Sequence, residues 1–265
     1  MLDHLASVIL AAGKGTRMKS KLPKVLHKVC DKTMLDHVII ASKNINAREI
    51  VIIVGHEADM VVSDVKNKFS NKDEATIRFA IQEPQLGTGH AVQQAEKALQ
   101  DFPDDGQVIV LSGDVPLVKS SHLKEMIRQH REGVKTENRI ATMMTSNAVN
   151  PTGYGRVMRD TNGVCGIVEE KDIVLDAIRN IKEINCGIYV FQKKYLFETL
   201  KRVDNKNRQK EYYLPRVLEL WISDGLKVGT WTNPDMSTTL GVNTIEQLKE
   251  VEEIMLGSKA KNLYY

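Results

Sequence analysis

The residues with the clearest chemical potential form a basic loop near the start of the chain, LAAGKGTRM at residues 10–18. Six basic residues and no acidic residue fall from Lys14 to Lys28. Small residues such as Gly13 and Gly15 let the backbone approach a ligand closely. Backbone N–H groups beside fixed positive charge bind polyphosphates. The loop therefore predicts a nucleotide site.

This loop fits neither of the two common nucleotide-binding motifs. The Walker pattern needs Lys-Ser/Thr after two glycines five positions apart, which GKGT at residues 13–16 lacks. The dinucleotide fingerprint needs a third glycine where Met18 stands, and an acidic residue where a later strand ends in Gly55-His56. The alternative interpretation is a glycine-containing turn that is basic by chance. The absence of acidic residues among the basic ones favours a phosphate-binding loop instead.

Further polar residues follow predicted strands. Asp114 comes after a buried strand, where a carboxylate could hold Mg²⁺ beside substrate phosphates; the alternative is a turn or cap before Pro116. The segment QEPQLGTGH at residues 82–90 carries two glutamines, whose amides both donate and accept and so could recognise a base. Taken singly, these residues and Glu169, Asn185 and Asn243 could equally be turn or surface residues. The histidines show no metal-ligand spacing.

The elements that must position these residues alternate between strand and helix in the first half of the chain. Short apolar runs predict buried parallel strands: Leu5–Leu10, Ile50–Val54, Thr76–Ile81 and Gln107–Leu111. Helical patterns lie between and after them: Met34–Lys43, Ala58–Phe69, Thr88–Leu99 and Lys119–Arg131. Such alternation predicts an α/β fold with a Rossmann-like, mostly parallel sheet and helices on both faces, and ligands at the carboxyl ends of its strands.

From about residue 140 the pattern becomes β-rich and predicts an inserted or appended sheet region that forms the other wall of a cleft. The predicted strands are Ile140–Thr145, Gly155–Arg159, Val164–Glu169 and Asn185–Val190, with a hairpin turn at DTNG, residues 160–163. Helices are predicted again at Glu211–Ser223 and Thr244–Met255.

Composition narrows the functional class. The chain has 265 residues, 42% hydrophobic and 27% charged, and its net charge of +3 is too small to predict a nucleic-acid partner. No apolar run approaches the ~18 residues of a membrane span. The three cysteines, Cys30, Cys165 and Cys186, form no C-x-x-C pair, which favours reduced core residues in a cytoplasmic protein.

Nine segments in order resemble the sugar-1-phosphate nucleotidyltransferases, over roughly residues 5–255. They are LAAGKGTRM (10–18), LPKVL (22–26), QEPQLGTGH (82–90), GD (113–114), GYGR (153–156), GIVE (166–169), EIN (183–185), EYY (211–213) and GVN (241–243). The resemblance implies a nucleotidyltransferase domain at residues 1–256, followed by a tail at 257–265. LPKVLH and PTGYGR are similar to the branch that joins UTP to N-acetylglucosamine-1-phosphate, giving UDP-N-acetylglucosamine, a peptidoglycan precursor, and pyrophosphate.

The resemblance also implies a role for each matching position. Arg17, Lys24 and Asp114 would be catalytic, the first two on the β- and γ-phosphates. Asp114 and Asn243 would hold Mg²⁺. The nucleotide would be bound by Leu10, Ala11, Ala12, Gly13, Gln82, Gln85, Gly87, Thr88 and Gly113. The amino sugar would be bound by Tyr154, Gly155, Glu169 and Asn185.

Two departures from the family pattern and two alternatives remain. Ser112 stands where the family commonly has Tyr, and we expect little effect on the metal. The sequence contains no hexapeptide repeats of a left-handed β-helix, so we expect no acetyltransferase activity. A uridylyl- or thymidylyltransferase for another sugar-1-phosphate, or a non-catalytic sugar-nucleotide sensor, would give a similar pattern. The sequence leaves the oligomeric state open.

Overall fold

The computed structural model describes residues 4–69, 75–161 and 163–262, with side chains as far as Gly257. Its strands are β1 Leu5–Leu10, β2 Lys28–Val29, β3 Lys32–Thr33, β4 Glu49–Val54, β5 Thr76–Ile81, β6 Gln107–Ser112, β7 Arg139–Asn147, β8 Gly155–Asp160, β9 Gly163–Val168, β10 Glu183–Gln192 and β11 Lys227–Thr232. Its α-helices are α1 Met34–Asn44, α2 Ala58–Lys68, α3 Thr88–Gln93, α4 Ser120–Glu137, α5 Asp176–Arg179, α6 Lys193–Leu200, α7 Pro215–Ser223 and α8 Ile245–Asn262.

One mixed sheet runs through the described chain in the order β11-β7-β10-β6-β1-β4-β5. The pairs β6·β1, β1·β4, β4·β5 and β11·β7 are parallel, whereas β10 runs antiparallel to both of its neighbours, β6 and β7. The α/β class and the mostly parallel sheet are therefore confirmed. The β-rich region is not a separate sheet, because β7 and β10 belong to the main one.

The sheet is covered on both faces, because successive strand residues point to opposite sides. Ile9 and Ile52 join one buried cluster with residues of α1, α2 and α4. Val8 and Ile53 join the second cluster, with residues of α3, α6 and α7. Each inner strand therefore contributes to two cores, which explains its continuous apolar sequence.

The β8–β9 hairpin branches from this sheet at β10, whereas β2 and β3 form a separate two-stranded sheet. Strand β8 pairs with β9 and, at its start, with β10. Asp160 faces Gly163 across the predicted turn, while Asn162 lies outside the described residues. Gly155 at the start of the hairpin and Glu169 just after its end line a cavity together with Leu10 and Ser112, the last residues of β1 and β6.

Several sequence predictions differ from the structure at helix ends. The predicted helix 88–99 is interrupted, because α3 ends at Gln93 and a short 3₁₀ turn follows at Lys97–Leu99. Residues 211–214 are not helical as predicted; α7 begins at Pro215, a residue suited to the first helical position. Helix α8 runs to Asn262, through most of the predicted tail, and residues 263–265 lie outside the described chain.

The sequence patterns gave no prediction of the small β2–β3 hairpin, of α5 and α6, or of the edge strand β11. Among the described helices, none combines the length and apolar character required to cross a membrane. All three cysteines are unpaired. Cys186 is buried, as predicted for a core residue, whereas Cys165 is exposed on β9, so its assignment to the core was wrong.

Candidate active site

The site begins where β1, β4 and β6 end side by side. The Ala11 N–H donates to the Ile53 carbonyl at 2.9 Å, and the Gly113 N–H donates to the Leu10 carbonyl at 2.9 Å. A Cβ at Gly113 would lie 3.1 Å from the Leu10 carbonyl oxygen, so this close approach favours glycine. The amide of Ala11 is thereby used within the fold, and backbone donation to a ligand would fall to Ala12 and Gly13.

The basic loop folds back onto Lys24. Gly15 has a φ of 59°, and a Cβ there would lie 2.7 Å from Lys24 Cβ. A short 3₁₀ turn at Thr16–Met18 follows, which leaves Arg17 exposed and buries Met18. Both the positive φ and the close contact require glycine at position 15, so this glycine brings the loop and Lys24 together.

Arg17, Lys24, Asp114 and Asn243, which we call the phosphate end, form one hydrogen-bonded cluster. The Lys24 ammonium donates to Asp114 Oδ2 and, at 3.1 Å, to Asn243 Oδ1. The Arg17 guanidinium donates to the same Asn243 oxygen at 2.9 Å. The Lys24 and Asp114 side chains are only 14% and 17% exposed, so this ion pair lies mostly out of water.

Asn243 reaches this cluster because its strand-like segment docks on Asp114. The Val242 N–H donates to the Asp114 carbonyl at 2.9 Å, and Gln247 Oε1 accepts from the Asn243 N–H at 2.8 Å. Val242 and Val251 are buried in a third apolar cluster with Met18 and Met34. The basic loop and the C-terminal helix α8 therefore share one small core, which fixes Arg17 and Asn243 relative to each other.

The Asp114 and Asn243 side chains fit a Mg²⁺ site. Their oxygens are the hard ligands that Mg²⁺ prefers, and both already converge on a single cationic atom, Lys24 Nζ. No group of three or more His, Cys, Asp or Glu residues suited to a metal occurs in the described part of the chain. Two protein ligands are enough for Mg²⁺, because this ion usually takes its remaining ligands from water and from substrate phosphates.

The segment at residues 82–90 packs against residues 211–214, which precede α7. Gln82 is buried and donates to the Gly87 carbonyl at 2.9 Å, while Gln85 donates to the Gln82 carbonyl at 3.3 Å. Gly87 has a φ of 106°, and a Cβ there would lie 2.8 Å from the Tyr212 carbonyl oxygen. The Thr88 hydroxyl accepts from the Leu214 N–H at 3.0 Å. These contacts explain why residues 211–214 are not part of a helix.

A cavity of about 230 Å³ lies next to the phosphate end and contains many of the predicted site residues. Its lining includes Leu10, Thr88, Asp114, Tyr154, Gly155, Glu169 and Asn185. It also includes residues that were not predicted as site residues, among them Ser112, Cys186, Tyr189, Leu214 and Thr239. The cavity thus joins the catalytic carboxylate predicted at Asp114 to the residues predicted to bind a sugar.

We call Tyr154, Gly155, Glu169 and Asn185 the sugar end. Burial, followed by the nearby carboxylates of Asp172, Glu219 and Glu211, raises the pKa of Glu169 to about 7. A Cβ at Gly155 would lie 3.2 Å from Glu169 Oε1, so the glycine makes room for this carboxyl group. Glu169 is therefore a carboxyl group held among other acids.

Asn185 is fixed by the strand irregularity that follows it. Its amide donates to the Tyr189 hydroxyl at 2.7 Å, and its carbonyl oxygen accepts from the Gly187 N–H at 3.0 Å. Gly187 has a φ of 73°, at the place where the pairing of β10 and β7 shifts register. Glycine within a strand is typical of such a bulge. Gly187 is therefore the local signal in the sequence that could have indicated Tyr189 as a site residue.

Tyr154 is held by Arg156 of the same motif. The Arg156 side chain is 1% exposed and donates to the Tyr154 carbonyl and, at 2.8 Å, to Glu170 Oε2. Burial, followed by Cys186, Glu250 and Asp114, raises the pKa of the Tyr154 hydroxyl above its usual value. Tyr154 therefore remains a neutral hydrogen-bond donor, while Arg156 supports the loop from behind.

Cys186 lines the same cavity without the character of a nucleophile. Burial raises the pKa of its thiol to about 12, so the thiol stays protonated at neutral pH. Of the predicted site residues, Ala11, Ala12, Gly13, Gln82, Gln85, Gly87 and Gly113 lie at the strand ends around the cavity rather than in its lining. Arg17, Lys24 and Asn243 reach it through their contacts with Asp114 and each other.

This fold is that of a nucleotide-transferring enzyme family. The family model for nucleotidyl transferases matches residues 6–236, and the chain belongs to this family. A crystal structure of a Bacillus anthracis protein assigned as a glucose-1-phosphate thymidylyltransferase has the same fold, with a TM-score of 0.72 at 18% identity over 94% of each chain.

Closer sequence relatives carry one name. The chain is 45% identical over 252 residues to the bifunctional protein GlmU of Alkaliphilus metalliredigens, and 46% identical over 249 residues to that of Lactobacillus helveticus. The GlmU of Clostridioides difficile is 44% identical over 254 residues. These alignments cover 94–95% of this chain and 51–52% of each relative, so the chain spans about half the length of the curated relatives it matches.

Proposed function

We propose that this chain transfers UMP from UTP to N-acetylglucosamine-1-phosphate, giving UDP-N-acetylglucosamine and pyrophosphate. The observation that carries the proposal is the cluster of Arg17, Lys24, Asp114 and Asn243, which borders a cavity lined by Glu169 and Asn185. Two anionic substrates need cations where their phosphates meet, and a sugar needs fixed polar groups beside them. The similarity to GlmU proteins supports the choice of substrates.

In the proposed reaction an oxygen of the sugar phosphate attacks the α-phosphorus of UTP in line with the departing pyrophosphate. This oxygen is already ionised at neutral pH, so the reaction needs no general base. Positioning and electrostatics therefore supply most of the catalysis. Arg17 and Lys24 would bind the outer phosphates and take up the negative charge that grows on pyrophosphate.

Asp114 and Asn243 would hold Mg²⁺ in this scheme. When bound, the metal would stabilise the negative charge of the phosphate groups that meet there. The backbone amides of Ala12 and Gly13 would contact the nucleotide, as would Leu10 and Gly113 at the adjoining strand ends. Gln82, Gln85, Gly87 and Thr88 would bind the uracil side of the nucleotide.

The sugar end would bind N-acetylglucosamine through hydroxyl and amide groups. The carboxylate form of Glu169 accepts hydrogen bonds from hydroxyl groups. The Tyr154 hydroxyl, which stays protonated, is available as a donor. Asn185 would contribute its amide beside the Gly155 backbone.

A pyrophosphate-release assay tests this function. The purified chain is incubated with Mg²⁺, each of the four common nucleoside triphosphates and thymidine triphosphate, and the 1-phosphates of N-acetylglucosamine, glucose and galactose. We expect release only with UTP, and with N-acetylglucosamine-1-phosphate preferred over the other two sugars. Preference for another base or sugar would overturn the substrate assignment, and binding of sugar nucleotide without turnover would favour a sensor.

The proposal also covers the setting of the reaction. Residues 1–256 would form the nucleotidyltransferase domain, with UTP and the sugar-1-phosphate as its partners and no nucleic acid or membrane involved. We propose a cytoplasmic location, which the three unpaired cysteines support.

A further inference from the structure

The Lys24 ammonium group occupies the position where the proposed function requires Mg²⁺. Lys24 Nζ lies between Asp114 Oδ2 and Asn243 Oδ1, on the two side chains that would bind Mg²⁺. An ammonium group and a divalent cation repel each other strongly at contact distance, most of all where water is scarce. The Lys24 ammonium and the metal therefore cannot share these oxygens.

The lysine also stabilises the carboxylate in the absence of substrate. Asp114 is only 17% exposed, and removing one partner of a largely buried ion pair leaves an uncompensated charge, which is destabilising. Arg17 donates to Asn243, whereas Lys24 forms the ion pair with Asp114. Lys24 is therefore the described cation that neutralises Asp114.

Lys24 can leave this position without a change in the fold. Its Cβ lies 2.7 Å from the place a Cβ of Gly15 would occupy, so the stem of the side chain rises directly beside the basic loop. The flexible four-carbon stem lets the ammonium group turn from the carboxylate to that loop by side-chain rotation alone. The phosphates of a nucleotide bound at the loop would attract it there.

We propose that Lys24 is an exchangeable placeholder for the metal. In the free chain its ammonium group occupies the Asp114 and Asn243 oxygens and keeps divalent cations out. When a triphosphate binds at the basic loop, Lys24 moves to the phosphates and vacates the metal site. This inference rests on the proposed function, because the triphosphate is the substrate named there.

The placeholder makes metal and triphosphate binding mutually favourable. A ligand that draws Lys24 away from Asp114 raises the affinity of that site for Mg²⁺, and by linkage the metal raises the affinity for the ligand by the same factor. The chain would then bind the metal mainly together with its nucleotide, and Mg²⁺ alone would bind only weakly to an active site without nucleotide.

Direct titration of the free chain with Mg²⁺ tests the placeholder, with calorimetry as the readout and neither nucleotide nor sugar present. We expect weak binding to the unaltered chain and about ten- to a hundredfold tighter binding to Lys24→Met, as expected when a charged hydrogen-bond competitor is removed. Asp114→Asn in the Lys24→Met background should abolish the gain. Equal or weaker binding by Lys24→Met would overturn the proposal.

Arg17→Met is the matched control, because it removes one positive charge from the same cluster but leaves the Lys24–Asp114 pair in place. Its Mg²⁺ affinity should change far less than that of Lys24→Met. An equal gain in both variants would mean that net charge, rather than occupation of the site, controls metal binding, and would overturn the proposal.

A measurement on the unaltered chain keeps the proposal testable if Lys24→Met does not fold. The side-chain ¹⁵N signal of Lys24 should be detectable in the free chain, where hydrogen bonds slow its exchange, and its chemical shift should change when UTP and Mg²⁺ are added together, because the ammonium group then exchanges the Asp114 carboxylate for phosphate oxygens. A signal unchanged by both would overturn the placeholder. Because the calorimetric titration uses no substrate, its failure would leave the proposed transfer reaction untouched, and a failure of that reaction would not alter the titration.

Discussion

The two ends of the cleft hold their carboxyl groups in opposite environments. At the phosphate end, Asp114 is paired with Lys24 and lies near Arg17. At the sugar end, Glu169 faces Asp172, Glu211 and Glu219, and its pKa is raised to about 7. One carboxylate is neutralised by a cation before any substrate binds, whereas the other is surrounded by acids.

This difference matches the chemistry proposed for each end. Phosphate transfer concentrates negative charge, so the phosphate end holds cations and a metal-binding carboxylate. A sugar offers neutral hydroxyl groups, so the sugar end needs acceptors and a neutral donor such as Tyr154 rather than cations. Substitutions at the phosphate end should therefore reduce turnover, and substitutions at the sugar end should weaken binding of one substrate.

Asp114→Ala should have the largest effect. We expect turnover to fall by about 10³- to 10⁴-fold, because the variant loses the carboxylate that would hold Mg²⁺ and leaves Lys24 without its partner. Pyrophosphate release measures this. Asp105→Ala, which removes an exposed carboxylate before β6, is the control and should keep full activity. A folded Asp114→Ala chain with near-normal turnover would contradict the role of the phosphate end.

Arg17→Ala should follow, with turnover reduced by about 10²- to 10³-fold because one positive charge on the leaving pyrophosphate is lost. The KM for the sugar phosphate should change little. Lys28→Ala, at an exposed lysine on β2, serves as the control for net charge. If Arg17→Ala raised only the KM for the sugar, the two ends would not divide their roles as described.

Glu169→Ala should act on the sugar alone. Loss of a charged hydrogen-bond acceptor is expected to raise the KM for N-acetylglucosamine-1-phosphate by about 10- to 100-fold, with a smaller change in turnover. Initial rates at varied sugar phosphate and saturating UTP separate the two constants. Asp176→Ala, at a side chain that is 94% exposed, is the matched control. A fall in turnover at an unchanged KM would assign Glu169 to the chemistry instead.

The smallest expected effect concerns stability and pH. Because the pKa of Glu169 rises from 4.5 to about 7 on folding, the folded chain binds more protons between these values, and this contribution to stability is lost as pH rises through about 7. Glu169→Gln cannot ionise, so its urea unfolding midpoint should fall less between pH 5 and pH 8 than that of the unaltered chain. The exposed Glu253→Gln should not differ. An equal decline of the urea midpoint in Glu169→Gln and in the unaltered chain would contradict the acidic environment of Glu169.

The fold was largely predictable because the inner strands are buried on both faces. The continuous apolar run of β1 gave its bounds directly, and those of β4 and β6 gave theirs to within one residue. Residues 211–214 were mispredicted as helix because contacts with Gly87 and Gly89 hold them outside α7, and no local pattern reports such contacts. Strand β11 was missed because its edge position leaves it only partly buried.

The site, like the fold, was predictable only in part from the sequence. Its residues could be proposed one by one from ordered motifs, but the convergence of Asp114, Asn243 and Lys24 depends on the docking of Val242 on Asp114. Tyr189 reaches the cavity through a strand bulge, and Thr239 reaches it from a turn that is distant in sequence. The residues that flank each of them in the sequence give no sign of a site. Tertiary contacts therefore supplied what local spacing could not.

The transfer itself is tested most directly by isotope labelling. N-acetylglucosamine-1-phosphate whose terminal phosphate oxygens carry ¹⁸O is incubated with UTP, Mg²⁺ and the chain, and both products are analysed by mass spectrometry. Attack by the sugar phosphate on the α-phosphorus predicts that all of the label appears in UDP-N-acetylglucosamine and none in pyrophosphate. Label in pyrophosphate, or no UDP-sugar from a folded chain, would contradict the proposed reaction.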